Sequence, residues 1–147
     1  MFKIIVVLVS YLITFVTQAQ INTNTTAMAG GSSVKAGVQN IRTNQGTVYF
    51  AIYNSQKSFN DRSAFASQEA IVKNNSVEVF FENLPQNTYA IVCFHDTNNN
   101  GKMDFDSRGM PLEDYGTSAK ERSFGPPLFD DAKFEVKEKD VTFEIIF

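Results

Sequence analysis

The sequence predicts an all-β protein, an antiparallel β-sandwich of about seven strands. Three observations carry that prediction. Apolar and polar residues alternate with a period of two through most of the chain beyond residue 33, as in strands that bury one face. Fourteen phenylalanines and five tyrosines occur without one tryptophan, and such rings suit the half-buried, pleated surface of a sheet. The apolar runs are short and end in Asn, Gly and Pro turn signals, a spacing that belongs to sandwiches.

At 147 residues the chain has the length of one domain and can bury a sound core. It carries 13 Lys and Arg against 16 Asp and Glu, a formal net charge of −3. The basic residues are scattered, so neither nucleic acid nor an anionic membrane surface is an expected partner. Cys93 is the only cysteine, so no intrachain disulfide can form. A domain without that staple relies on its core or on a bound metal.

Residues 1–19 read as a signal peptide. Met1-Phe2-Lys3 gives a positive start, Ile4 to Val16 is mostly apolar with two hydroxyl interruptions, and Thr17-Gln18-Ala19 offers small residues for cleavage after Ala19. The apolar run is shorter than the roughly 20 residues a membrane-spanning helix needs. An exported protein, periplasmic or secreted and without stable membrane insertion, is the expectation. Residues 20–33, rich in Asn, Thr, Ser, Gly and Ala, form a flexible tether, and residues 34–147 the sandwich domain.

Val34, Ala36 and Val38 share one face of the first strand. Val48, Phe50 and Ile52 share one face of the second, and Asn44-Gln45-Gly46 between them reads as a hairpin turn. A polar loop with Phe59 as its anchor leads to a weaker strand around Glu69 to Lys73. Asn74-Asn75 then turns the chain into Ser76 to Glu82, which Leu84-Pro85 stops, because proline gives no donor to a ladder. Thr88 to His95 is apolar on both faces and belongs at the centre of its sheet. Lys133 to Lys137 and Val141 to Phe147 complete seven strands, with no helix expected. Phe105 to Pro127 shows no strand pattern, and a connection of that length is usually functional or pinned by something.

Directly after the central strand comes Asp96-Thr97-Asn98-Asn99-Asn100-Gly101-Lys102-Met103-Asp104. Asp96, Asn98 and Asn100 fall at alternate positions and Gly101 stands where a sharp turn is needed. The Lys102 carbonyl and Asp104 follow at the next alternate positions. This is the front half of a calcium loop of EF-hand type. The loop follows a strand, and Ser107 stands where the bidentate Glu of an EF-hand belongs. Calcium takes six to eight oxygens, so Asp106 or Glu113 is the candidate to complete the shell. The few charged ligands point to a structural site of affinity about 10⁻⁴ to 10⁻³ M.

Other constellations carry less. Cys93, His95 and Asp96 contain a thiol, a base and a carboxylate, but Cys93 and His95 on one strand face lie about 7 Å apart and Asp96 points oppositely. Glu113-Asp114 and Asp130-Asp131 are adjacent pairs that diverge in an extended chain. Tyr49, Tyr53, Tyr89, Tyr115 and Phe124 could build an aromatic platform for a carbohydrate or protein ligand.

His95 to Asp104, then Gly109-Met110-Pro111, Glu113-Asp114-Tyr115-Gly116, and Phe124-Gly125-Pro126-Pro127 with Phe129 and Asp131-Ala132, resemble the bacterial domain-of-unknown-function family 2141. The likeness runs from about Val34 to Phe147. It implies an exported bacterial protein with an immunoglobulin-like or prealbumin-like sandwich, and no known activity. In that family the Tyr-Gly block usually continues Phe-Ser-Asn, where this chain has Thr117-Ser118-Ala119.

The expectation is therefore a monomeric, non-catalytic module at the cell envelope, with a structural calcium ion ordering its longest connection and an unidentified protein or carbohydrate as ligand. Two alternatives stand beside it. One is a metal-assisted hydrolase using His95; the other is a small outer-membrane β-barrel.

Overall fold

A computed structural model describes residues 31–121 and 125–147. The signal peptide, its cleavage point after Ala19, the tether up to residue 30 and the aromatic Phe124 lie outside the described residues.

Two sheets pack face to face. The first contains β1 (Ser32–Val38), β4 (Val77–Leu84) and β8 (Val141–Ile145), in the order β4-β1-β8. The second contains β2 (Thr47–Tyr53), β3 (Ala66–Ile71), β5 (Asn87–Asp96) and β6 (Tyr115–Thr117), in the order β3-β2-β5-β6, and β7 (Phe134–Val136) also pairs with β5. All pairs are antiparallel except β1 with β8, which run parallel with Val34 opposite Val141 and Val38 opposite Ile145. The fold is the all-β sandwich that the alternation predicts.

The period-two pattern does what elementary packing requires of it. Val34, Ala36 and Val38 of β1, Val77, Val79 and Phe81 of β4, and Val48, Phe50 and Ile52 of β2 all point into one buried cluster with Tyr89, Ile91 and Cys93 of β5. Removing a side chain such as Phe50 or Ile91 from water contributes about 1.5–3 kcal/mol, and this shared layer is what holds the two sheets together. β5 is central as predicted. Its second face is covered at one end, where Ala90 packs with Phe129, Ala132, Tyr53 and Phe59.

Four expectations are corrected. Asn44-Gln45-Gly46 does not close a hairpin: β1 and β2 lie in different sheets, so the segment crosses between layers. Among the described residues two short helices occur. In α1 (Gln56–Asn60) the Ser55 and Ser58 side chains cap each other's backbone N–H, which is enough to start one turn; α2 (Phe129–Ala132) buries Phe129 and Ala132. The long connection contains an eighth strand, β6, and a bridge between Phe105 and Pro111. Finally, both sheets are open in strand order and β6 and β7 are only three residues long, which is not the closed ring of membrane-length strands that a barrel needs. Among the described residues no helix is long and apolar enough to cross a membrane.

Candidate functional site

β5 ends by driving two polar residues out of solvent. His95 is 2% exposed and Asp96 is 0% exposed. The neighbouring backbone of β2 makes this possible. Thr47 stands opposite Asp96 in the ladder, and Gly46 before it has φ of +86°. A Cβ on Gly46 would lie 2.3 Å from the Asp96 carbonyl oxygen, so only glycine lets the crossing segment lie this close.

The Asp96 carboxylate turns back into its own loop. Its Oδ1 accepts from Asn100 N at 3.1 Å and its Oδ2 from Gly101 N at 2.7 Å. Asn98 Oδ1 accepts from Asn100 N at 3.0 Å, and Asn100 Oδ1 accepts from Lys102 N at 3.0 Å. The two carboxamides then meet: Asn98 Nδ2 and Asn100 Nδ2 donate to the same oxygen, Asp104 Oδ2, at 2.7 and 2.8 Å. Asp96, Asn98, Asn100 and Asp104, predicted from alternate spacing alone, are thus brought together. Among the described residues neither Asp96 nor Asp104 forms an ion pair with a cationic side chain.

Glu113 holds the loop at both ends. Its Oε1 accepts from Thr97 N at 3.0 Å and its Oε2 from Asp104 N at 3.1 Å. Leu112 N to Asp104 O at 2.9 Å and His95 N to Asp114 O at 2.9 Å continue the zip, so the loop closes onto the chain that returns towards β6. Glu113 is therefore a clamp on the loop backbone. Asp106 lies in a separate turn, where its Oδ1 accepts from Arg108 N at 2.8 Å and Met110 N at 2.9 Å while the Arg108 guanidinium meets Oδ2. The Met110 and Arg108 backbone N–H groups hold its carboxyl below the ordinary carboxylate range. That carboxylate is spent on its own turn, so the structure does not bring it to the loop centre.

The family model described as "Uncharacterized protein conserved in bacteria (DUF2141)" matches residues 37–144. The chain belongs to that family. The match takes in the whole second sheet, β4 and most of β8 of the first, the Asp96 loop and the return to β6. Comparison with curated proteins and with solved structures finds no match.

In this DUF2141 domain the residues that suggested catalysis are held as structure. His95 Nε2 donates to the Gln45 carbonyl at 2.7 Å, and its ring stacks on Phe147 with centroids 6.2 Å apart and planes 1° from parallel. A carbonyl only accepts, so Nε2 is the donor of this bond and is occupied by the Gln45 backbone. Cys93 is buried, and burial pushes its thiol well above the ordinary range against one opposing hydrogen bond from the Gly116 backbone. Such a thiol is inert. Among the described residues no three His, Cys, Asp or Glu side chains form a metal-sized cluster; a cation here would be held mainly by amide and carbonyl oxygens.

The aromatic platform is dispersed. Tyr89 and Tyr53 pack with other rings in the two apolar clusters. Tyr49 and Phe94 stack on each other at 5.3 Å and 20°, and Tyr115 follows Phe94 in the ladder. Rings that spend their faces on each other leave edges for a ligand. Exposed apolar side chains gather elsewhere: Phe105, Met110 and Leu112 stand on the turn beyond the Asp96 loop at 52%, 59% and 67% exposure. A cleft of about 680 Å³, lined by Gly37, Asn74, Glu78 and Glu144 among others, contains none of the predicted ligands. Sequence reasoning placed Gly46 in a hairpin turn and missed its close approach to Asp96. It also missed Ser118, whose hydroxyl donates to Ala132 O at 2.6 Å and accepts from Ile91 N at 2.9 Å, tying β5 to α2.

Proposed function

We infer that this domain is a binding or support module of an exported protein, and that a calcium ion at the Asp96 loop orders the surface it presents. One observation carries the reading. A fully buried carboxylate, Asp96, sits at the mouth of an oxygen-rich loop and, among the described residues, no cationic side chain pairs with it. Buried charge is expensive unless it is paired or coordinates a metal, and two backbone N–H groups compensate it only in part.

The residues fit such an ion. Asp96, Asn98, Asn100, the Lys102 carbonyl and Asp104 would hold it, all hard oxygen donors, with Glu113 fixing the backbone behind them. The cation would take the place that the Asn98 and Asn100 NH₂ groups occupy at Asp104 Oδ2. Two carboxylates and several neutral oxygens suit calcium at extracellular concentrations. The ion supplies order and no chemistry. It would lock the end of β5 to the turn that carries Phe105, Met110 and Leu112, and that apolar surface is the part offered to a partner.

The test is thermal. With a dissociation constant near 10⁻⁴ M, about 10 mM calcium stabilises the folded state by about 2.7 kcal/mol. That is a rise in Tm of several degrees, absent in Asp96→Asn and Asp104→Asn and much smaller with magnesium. A melting curve that is the same in chelator and in millimolar calcium overturns the reading.

A further inference from the structure

Asn100-Gly101 is the only Asn-Gly pair in the chain. We propose that it is a latent self-modification site, kept silent while the Asp96 loop is folded and released whenever the loop opens. The chemistry needs no partner but water. The Gly101 backbone nitrogen attacks the Asn100 side-chain carbon Cγ, a C–N bond forms as the nitrogen's proton passes to water, and the carboxamide nitrogen leaves as ammonia. Water then opens the five-membered imide at one of its two carbonyls, leaving aspartate or isoaspartate at position 100.

Asn100 and Gly101 are both exposed, and nothing beyond their own chain neighbours lies within 4 Å of the place where a Cβ of Gly101 would stand, so the space around this pair is open. Hydrogen bonding protects the nitrogen. Gly101 N–H is committed to Asp96 Oδ2 at 2.7 Å. Asn100 Oδ1 is tied to Lys102 N at 3.0 Å and its Nδ2 to Asp104 Oδ2 at 2.8 Å. Ring closure therefore breaks all three bonds, two of them to carboxylates. The products differ in consequence: aspartate adds a third carboxylate beside Asp96 and Asp104, whereas isoaspartate inserts a methylene into the backbone at the tightest point of the loop. The folded loop is thus a record of how long it has been open. The inference does not rest on the calcium reading, since all three bonds form without an ion.

The experiment ages the protein in mildly alkaline buffer containing chelator, so that ion binding plays no part, and counts aspartate and isoaspartate at position 100 by peptide mapping. The native chain is expected to convert roughly tenfold to hundredfold more slowly than the same chain in urea, the factor carried by a hydrogen bond to a charged acceptor. Asp96→Ala and the partly exposed Asp104→Ala, each verified as folded by circular dichroism, are expected to recover much of the unfolded rate. Native hydrogen exchange at Gly101 gives a reading that needs no variant, and protection is expected there. Conversion of the native chain at the urea rate overturns the proposal. So does a Gly101 amide that exchanges like free chain, or a pair of folded variants as slow as the native protein.

Discussion

Asp106 sits two residues beyond the loop and behaves differently from it. Its carboxylate is the acceptor around which the turn closes, with Arg108 N and Met110 N on one oxygen and the Arg108 guanidinium on the other. These donors favour the charged form, so the folded pKa lies below the unfolded value of about 3.9. The sign follows: the unfolded chain binds the proton more readily, and the stability from this group is fully present above pH about 4 and is lost as pH falls through the folded value. The expected outcome is that wild type and Asp106→Asn differ in Tm at neutral pH and converge in acid, which thermal melts across pH will check. The gathering of Asp96, Asn98, Asn100 and Asp104 into one loop was legible because short oxygen-bearing side chains at alternate positions around a glycine fold back on their own backbone, as they also do in ordinary turns. Asp106 was not separable from them in the sequence, since its fate depends on Arg108 and Met110, which carry no ligand signature of their own.

Elements show where periodicity stops informing. Alternation located six strands to within a residue or two, and the weaker β3 three residues late at its start, because most of them bury one face in the same layer. It is silent on which sheet a strand joins, and so Asn44 to Gly46 read as a hairpin although it crosses between sheets. What holds that crossing is the turn after β3. Asn75 N donates to Asn44 Oδ1 at 2.5 Å, Asn75 Nδ2 donates to Ile41 O at 2.6 Å, and Ile41 N donates to Asn75 O at 2.9 Å. Asn74 and Asn75 both have positive φ, 52° and 57°, the geometry of a tight primed turn. Two variants separate these contributions. Asn75→Gly loses the side-chain bond alone and is expected to cost about 1 kcal/mol. Asn75→Ala adds left-handed strain and is expected to cost about 2 to 3 kcal/mol, both read by urea unfolding. β6 was illegible for a different reason. Tyr115-Gly116-Thr117 has no alternating pattern; it is a strand because Gly116 lies opposite Cys93, and a Cβ on Gly116 would come within 2.5 Å of Ile145 Cγ2.

The whole molecule is organised by contacts between distant parts of the chain. Ser33 N donates to Asp140 Oδ1 across 107 residues, beside the parallel ladder of β1 and β8. Topologies dominated by such pairings fold slowly, so refolding on the millisecond-to-second scale is expected in stopped-flow measurements; microsecond refolding would contradict it. The apolar layer was legible at this scale as well, since nearly every residue on the predicted inner faces is buried. The pairing of β1 with β8 was not, because nothing local in either strand names the other. That pairing bears on biosynthesis. A nascent chain that has emerged as far as β7 has an unfinished first sheet, with β1 lacking one neighbour, so completion of that sheet waits for the last strand to be made.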